Sequence, residues 1–335
     1  MKRLMSIVSA VTSLLLIDSV GAASKPPTET SIWKVGLVET GPGKYKIEAT
    51  IFAIGDPVHE TLTLKALIDG GIVRKGASRK DPAAGQFIRG VLWNDDPCAQ
   101  LFSENLFNPL EPSFGIAWYL DFRDAQHAEN QKTFFRDLKC PLLGRSHYGD
   151  LQFLHGMADQ NGVKASETAE RVLAWVSVAH RIANGEIDAR QPLSRDATAK
   201  ALLTSIADQS AMDLMRASTA TETRARALGS LLHTLQDSYA HGHVARATDG
   251  AITQFYCYAD QKAAKHAHDD SWRDGNSDLE RTLNIPGSRD ALFVSTEIVK
   301  LYKAKVKWAG VEQYLKSSPL LVMQDAKISG PGVYQ

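Results

Sequence analysis

Apolar and polar positions follow three different rhythms along the chain. From Leu4 to about Ile17 the residues are almost all apolar, with Lys2 and Arg3 before them and Gly21-Ala22-Ala23 after. That order is the pattern of an export signal cleaved after Ala23. The run is shorter than the roughly 20 apolar residues that span a bilayer, and Ser and Thr interrupt it. Over residues 33–52 the period is two: Trp33, Val35 and Leu37, then a turn at Gly41-Pro42-Gly43, then Tyr45, Ile47, Ala49 and Ile51. This predicts a β-hairpin, too small to stand alone. From Pro57 onward the spacing is helical, with Leu62, Ala66 and Leu67 on one face. Further helices are predicted near 147–158, 166–184, 196–216, 221–240, 251–272 and 289–316. Residues 70–145, rich in Gly, Pro, Asn and aromatics, read as long loops over a helical core. Gly330-Pro331-Gly332 marks a loose tail. The fold class is therefore mainly α with a small N-terminal β-hairpin. The expected division is a signal peptide (1–23), a hairpin extension (24–56), an α-helical domain (57–325) and a tail (326–335).

Charge adds little to this picture. With 38 basic and 38 acidic residues, the chain has no general attraction for nucleic acid or an anionic membrane. The three cysteines lack Cys-x-x-Cys spacing, which leaves structural roles. In an oxidising compartment Cys98 and Cys140, which flank irregular Pro-containing segments, are the expected disulfide pair.

The densest chemistry lies in Leu228-Gly229-Ser230-Leu231-Leu232-His233-Thr234-Leu235-Gln236-Asp237-Ser238-Tyr239-Ala240-His241-Gly242-His243. His233 and Asp237 are four apart, so a helix puts imidazole and carboxylate on one face, a practical bite for Zn²⁺. Gly242 breaks the helix and lets His243 fold back. His266 and Asp270 repeat the four-residue spacing. A loop at Trp93-Asn94-Asp95-Asp96 offers one carboxylate, and Ser146-His147-Tyr148-Gly149-Asp150 offers His147 and Asp150. His180 reads as a core residue, His155 as core or supporting, and His241 as surface.

Taken together, these segments resemble the zinc-dependent phospholipase C superfamily, which includes the fungal single-strand-specific nucleases. Leu228, Gly229, His233, Asp237 and His243 match its long-helix hallmark in register. Ser146-His147-Tyr148 is similar to the phospholipases' Ala-Ser-His-Phe-Tyr-Asp, and Trp93-Asn94-Asp95 resembles the nucleases' Trp-Ala-Asp, which selects Asp95 over Asp96. His59 fits the early histidine of the first helix, and His266 with Asp270 the last pair. The resemblance implies one zinc on Asp95, His147, His233 and Asp237, and a second on His243, His266 and Asp270. A third would use His59 and share Asp237. The family completes that third site with an N-terminal Trp, which cleavage after Ala23 would not supply.

What the resemblance implies is a secreted or periplasmic zinc-dependent phosphodiester hydrolase using a zinc-activated water, with Asp95 orienting or deprotonating it. Ser146-His147-Tyr148, and the lack of the nucleases' Gly-Gly-Asn before the last His, lean to phospholipid substrates. Asp270 and Trp93-Asn94-Asp95 lean to single-stranded nucleic acid, so a nuclease or nucleotidase is the alternative, beside a non-catalytic zinc-binding protein. Phe114, Trp118 and Tyr119 read as loop core before they read as a substrate platform.

Overall fold

The computed structural model describes residues 33–41, 44–51, 56–100, 118, 121–122, 124–125, 138–262, 265–266 and 272–335. The expected signal peptide lies outside them. Strands β1 (Trp33–Gly41) and β2 (Lys44–Ile51) form the antiparallel hairpin. Its register pairs Trp33 with Ile51, Val35 with Ala49 and Leu37 with Ile47.

The rest is mainly helical. Helix α1 (Val58–Asp69) buries Leu62, Ala66 and Leu67, and α2 (Pro82–Trp93) follows. That second helix corrects the reading of 70–145 as loops. Asp81 caps it by accepting from Ala83 N–H, Pro82 fills the first turn, and Phe87, Ile88 and Val91 are buried. Helix α3 (Pro141–Tyr148) and a 3-10 turn (Gln152–His155) replace the helix expected at 147–158. Pro141 starts the first early, and Gly149 ends it with extended backbone. Helix α4 (Ala165–Asn184) lies where expected, with Trp175, Val176 and His180 buried. The region 196–216 divides into α5 (Ala197–Leu203), capped by Asp196, and α6 (Ala211–Leu214), capped by Ser210. Between them Thr204 takes a positive φ that no helix continues through.

Helix α7 (Ala220–Asp237) is the central element, buried along most of its length. After it the first part of the helix expected at 251–272 is overturned, while Lys265 and His266 are helical and residues 263–264 and 267–271 lie outside the described residues. Strands β3 (Val244–Arg246) and β4 (Ile252–Phe255) form a second hairpin there, as the β-branched and aromatic run Ile252-Thr253-Gln254-Phe255 favours. Three helices complete the order: α8 (Asp278–Leu283), α9 (Ser288–Lys303) and α10 (Trp308–Ser317). In place of the single helix expected at 289–316, α9 and α10 separate at 304–307, where Lys305 has a positive φ. The tail is not loose, for Ser329 and Tyr334 are buried. Among the described residues no helix is long and apolar enough to cross a membrane.

Two glycines set the core. A Cβ on Gly229 would sit 2.1 Å from Phe87 O, and one on Gly90 2.1 Å from Arg226 O, so α2 and α7 cross with their backbones nearly touching. Around that crossing Trp93 stacks on Trp175 at 5.8 Å and donates its indole N–H to Leu214 O. A disulfide joins Cys98 to Cys140, as expected, while Cys257 is buried and reduced. Gly229→Ala is expected to cost about 1–3 kcal/mol by overpacking this contact, read as a lower urea midpoint with unchanged slope. An unchanged midpoint would mean that the helices can separate freely there.

Candidate metal centre

Helix α7 delivers its two residues as the four-residue spacing requires: His233 Nε2 lies 2.9 Å from Asp237 Oδ2. Asp237 is the hub. Its Oδ1 is 3.0 Å from His59 Nε2, and its Oδ2 is 2.9 Å from His155 Nδ1 and 3.7 Å from His243 Nδ1. Asp95, at the end of α2, forms the second focus. Its Oδ1 is 3.8 Å from both His155 Nδ1 and His233 Nε2, and 4.0 Å from His147 Nε2. His266 joins through His243, their Nε2 atoms 3.2 Å apart. Seven of the eight expected site residues thus meet in one place. The eighth, Asp270, lies outside the described residues.

Asn94 explains how Asp95 is aimed. Fully buried, it donates to Leu154 O at 2.6 Å and to Thr234 Oγ1 at 3.1 Å, and accepts from Ser230 Oγ. One amide therefore ties the end of α2 to α7 and to the 3-10 turn that carries His155. Asp96 turns elsewhere, and its carboxylate accepts the Gln100 N–H.

His155 enters the site although its sequence context reads only as core or supporting. Among the described residues, the tightest donor groups are His59, His233 and Asp237, and Asp95, His155 and His233. His147 is in neither. His155 lies between the two carboxylates, 2.9 Å from Asp237 Oδ2 and 3.8 Å from Asp95 Oδ1, and His147 Nε2 approaches Asp95 Oδ1 at 4.0 Å. The sequence signal is faint: a histidine ending a 3-10 turn at Gly156, with no periodic partner. Tyr258 is a second residue that sequence reasoning misses. Its ring lies 5.0 Å from that of His266, 5.8 Å from His147 and 5.9 Å from His243. Phe122 packs edge-on to His147 at 5.0 Å and stacks on Trp118 at 4.8 Å. Trp118 is buried and donates to Asp95 O, while Phe114 and Tyr119 lie outside the described residues. His241 is exposed, as expected.

The decisive feature is how the imidazoles are held. Carbonyl oxygens can only accept, so His147 Nδ1–H donates to Leu143 O at 3.0 Å and His243 Nδ1–H to His155 O at 2.7 Å. His59 Nδ1–H donates to Gln236 Oε1 at 2.9 Å, and His266 Nδ1–H to Gln261 Oε1 at 2.8 Å. Each glutamine is itself fixed, Gln236 by Thr63 and Ser295 hydroxyls and Gln261 by Gly242 O. With Nδ1 protonated, the Nε2 atoms of His243 and His266 face each other at 3.2 Å, while those of His59 and His147 face Asp237 and Asp95. Without a proton or a metal between them, the His243 and His266 lone pairs repel. Outer hydrogen bonds of this kind are what metal-ligating histidines use. Two nitrogens on a tetrahedral zinc, each at about 2.0–2.1 Å, sit about 3.3 Å apart, close to the His243–His266 separation. The groups of histidine and aspartate could hold a metal ion.

No family model matches this chain, and no curated protein or solved structure matches it either.

Charge in the metal-free protein follows from the same geometry. Burial pulls His59 down, but the Asp237 carboxylate more than reverses this and raises it to about 10. Burial would push Asp237 up, and the imidazoles of His233, His243 and His59 instead hold it well below the usual carboxylate range. Asp95 is likewise lowered against its burial, by His233 and His155. Burial, then His155, drops His147 to about 3.

A metal on His59 Nε2 must displace a proton that the metal-free protein keeps up to about pH 10. Affinity should therefore rise with pH, by up to about tenfold per unit for one displaced proton. Calorimetric zinc titration between pH 6 and 8, in buffers of different ionisation enthalpy, measures both affinity and proton release. A pH-independent affinity would remove His59 from the ligand set.

Proposed function

We propose that the chain is an exported, zinc-dependent phosphodiester hydrolase with a phospholipase C-like helical domain. The observation that carries this is the convergence of His59, His155, His233 and His243 on Asp237, with Asp95 beside His155 and His233. The ordered resemblance of the ligand segments to the zinc phospholipase C superfamily supports it, and the Cys98–Cys140 disulfide supports export.

His155, His233, Asp95 and Asp237 would hold one zinc, His243 and His266 a second, and His59 with Asp237 a third. Zinc, when bound, supplies Lewis acidity toward phosphoryl oxygens and lowers the pKa of water toward ~7. The chain's own residues do the rest. Asp95 is the carboxylate open to solvent, 37 % exposed against 3 % for Asp237. It can therefore orient an attacking water and take its proton, while Asp237 stays ionised and buried between its histidines. His147, neutral at pH 7, points Nε2 toward Asp95 from inside an aromatic wall of Trp118, Phe122 and Tyr258. That wall lines the His147 side of the centre. It suits the apolar parts of a phospholipid, and its faces would also take an unpaired base. We favour phospholipid, as the Ser146-His147-Tyr148 segment does. The exposed Asp95 argues against a purely structural zinc protein, whose ligands would be closed off.

Metal content of the purified protein, with hydrolysis of a chromogenic phosphodiester before and after chelation, tests this reading. About two to three zincs per chain and chelator-sensitive turnover are expected; below about one zinc, with no turnover on adding zinc back, the reading fails. Phosphatidylcholine against single-stranded DNA then separates the two substrate classes. Among variants, Asp237→Ala should lose zinc and activity together. His155→Ala should lose zinc, whereas His147→Ala should keep zinc and lose turnover by about 10-fold or more. Equal zinc losses in the two histidine variants would restore His147 as a ligand.

A further inference from the structure

The C-terminal residues run beside β4 and close on the His266 end of the centre. Lys327 N–H donates to Thr253 O, Gln254 Nε2 to Ile328 O, and Cys257 N–H to Gly330 O, with a parallel bridge between Tyr256 and Gly330. Ser329 locks the other side, exchanging bonds with Gly162 and Val163. Gly332 then lies flat on Tyr256. Its φ is +62°, and a Cβ there would stand 2.4 Å from the Tyr256 ring. Tyr334 follows, 4 % exposed, packed edge-on against Tyr256 at 5.9 Å and His266 at 6.2 Å.

His266 is tied to this segment through its neighbours in the chain. Its N–H and that of Lys265 both donate to Lys262 O. Lys262 N–H donates to Tyr334 O at 2.7 Å, and Lys265 Nζ donates to Gln335 O at 2.6 Å. Backbone and ring of the C-terminal segment thus hold these residues from outside, while Gln261 holds the imidazole from inside.

We infer that residues 327–334 form a strap that seats His266 against His243, with Tyr334 as its positioning residue, so that occupancy of the second zinc depends on the C-terminal segment. The inference rests on the zinc reading of this pair. It accounts for a buried tyrosine and a glycine pressed against Tyr256, both packed outside the main core.

Full-length wild type, Tyr334→Ala, Tyr334→Phe and His266→Ala can be compared by titration with zinc and with cobalt, whose visible absorption reports ligand geometry. Tyr334→Ala should weaken one metal equivalent by about 10- to 100-fold, the same equivalent that His266→Ala removes, with the remaining equivalents unchanged. Tyr334→Phe, which keeps the ring, should restore wild-type titration and spectrum. Unchanged affinity in Tyr334→Ala, or equal losses in the Ala and Phe variants, would overturn the inference. If Tyr334→Ala does not fold, Gly332→Ala displaces the strap from Tyr256 and should give the same selective loss; full metal binding in that variant counts against the strap. Wild type that binds no zinc would sink the zinc reading itself, a result distinct from a wild type that binds zinc and a Tyr334 variant that binds it equally well.

Discussion

An ionised carboxylate buried among imidazoles dominates this molecule. Asp237 is shut away from water, where an uncompensated charge would cost several kcal/mol. Its two oxygens are instead shared among histidines from α1, the 3-10 turn, α7 and the segment leading into β3. Positive charge has to be present, as protons on imidazole or as metal. The surrounding hydrogen bonds decide which, because they give the Nδ1 protons of four histidines to oxygen acceptors and leave only Nε2 for the interior. Proton and metal therefore compete for the same lone pairs, and a helical framework fixes where those lone pairs meet.

That framework works through close approach and a few buried polar links. Gly90 and Gly229 bring α2 and α7 to backbone contact, which places the end of α2 beside the histidine face of α7. Asn94 turns this proximity into alignment by binding α7 and the His155 turn at once. Gln236 does the same for α1 and α9, accepting from His59 while donating to Thr63 and Ser295. The glycine of the Leu-Gly-x-x-x-His segment is thus explained by packing rather than by ligation, although it serves the ligands.

Much of this is legible in the sequence, and the illegible parts have physical reasons. His233 and Asp237 are readable because a helix converts a spacing of four into a shared face. The N-terminal hairpin and α4 are readable from period and length. Helix α2 is hidden because Gly, Pro and Asn in the flanking sequence mask a well-capped helix, although its Asp81-Pro82 start is visible. The run from 251 reads as a helix; its first residues pair as a strand, and Lys265 and His266 are helical. His155 and Tyr258 reach the site through tertiary folding alone, and no local period announces that. Resemblance separates Asp95 from Asp96, and the structure supplies the physical difference: one carboxylate faces the histidines, the other caps a turn.

The disulfide has a further consequence. Cys98 and Cys140 are 42 residues apart in sequence, and each stands a few positions from a site residue, Asp95 on one side and His147 on the other. The intervening stretch is therefore a covalent ring with both feet planted at the rim of the centre. Closing a loop of that length lowers the entropy of the unfolded chain by an amount worth about 4 kcal/mol, and the cost changes only logarithmically as the loop grows or shrinks. Trp118 and Phe122, inside the ring, reach back to both feet, through Asp95 O and the His147 ring.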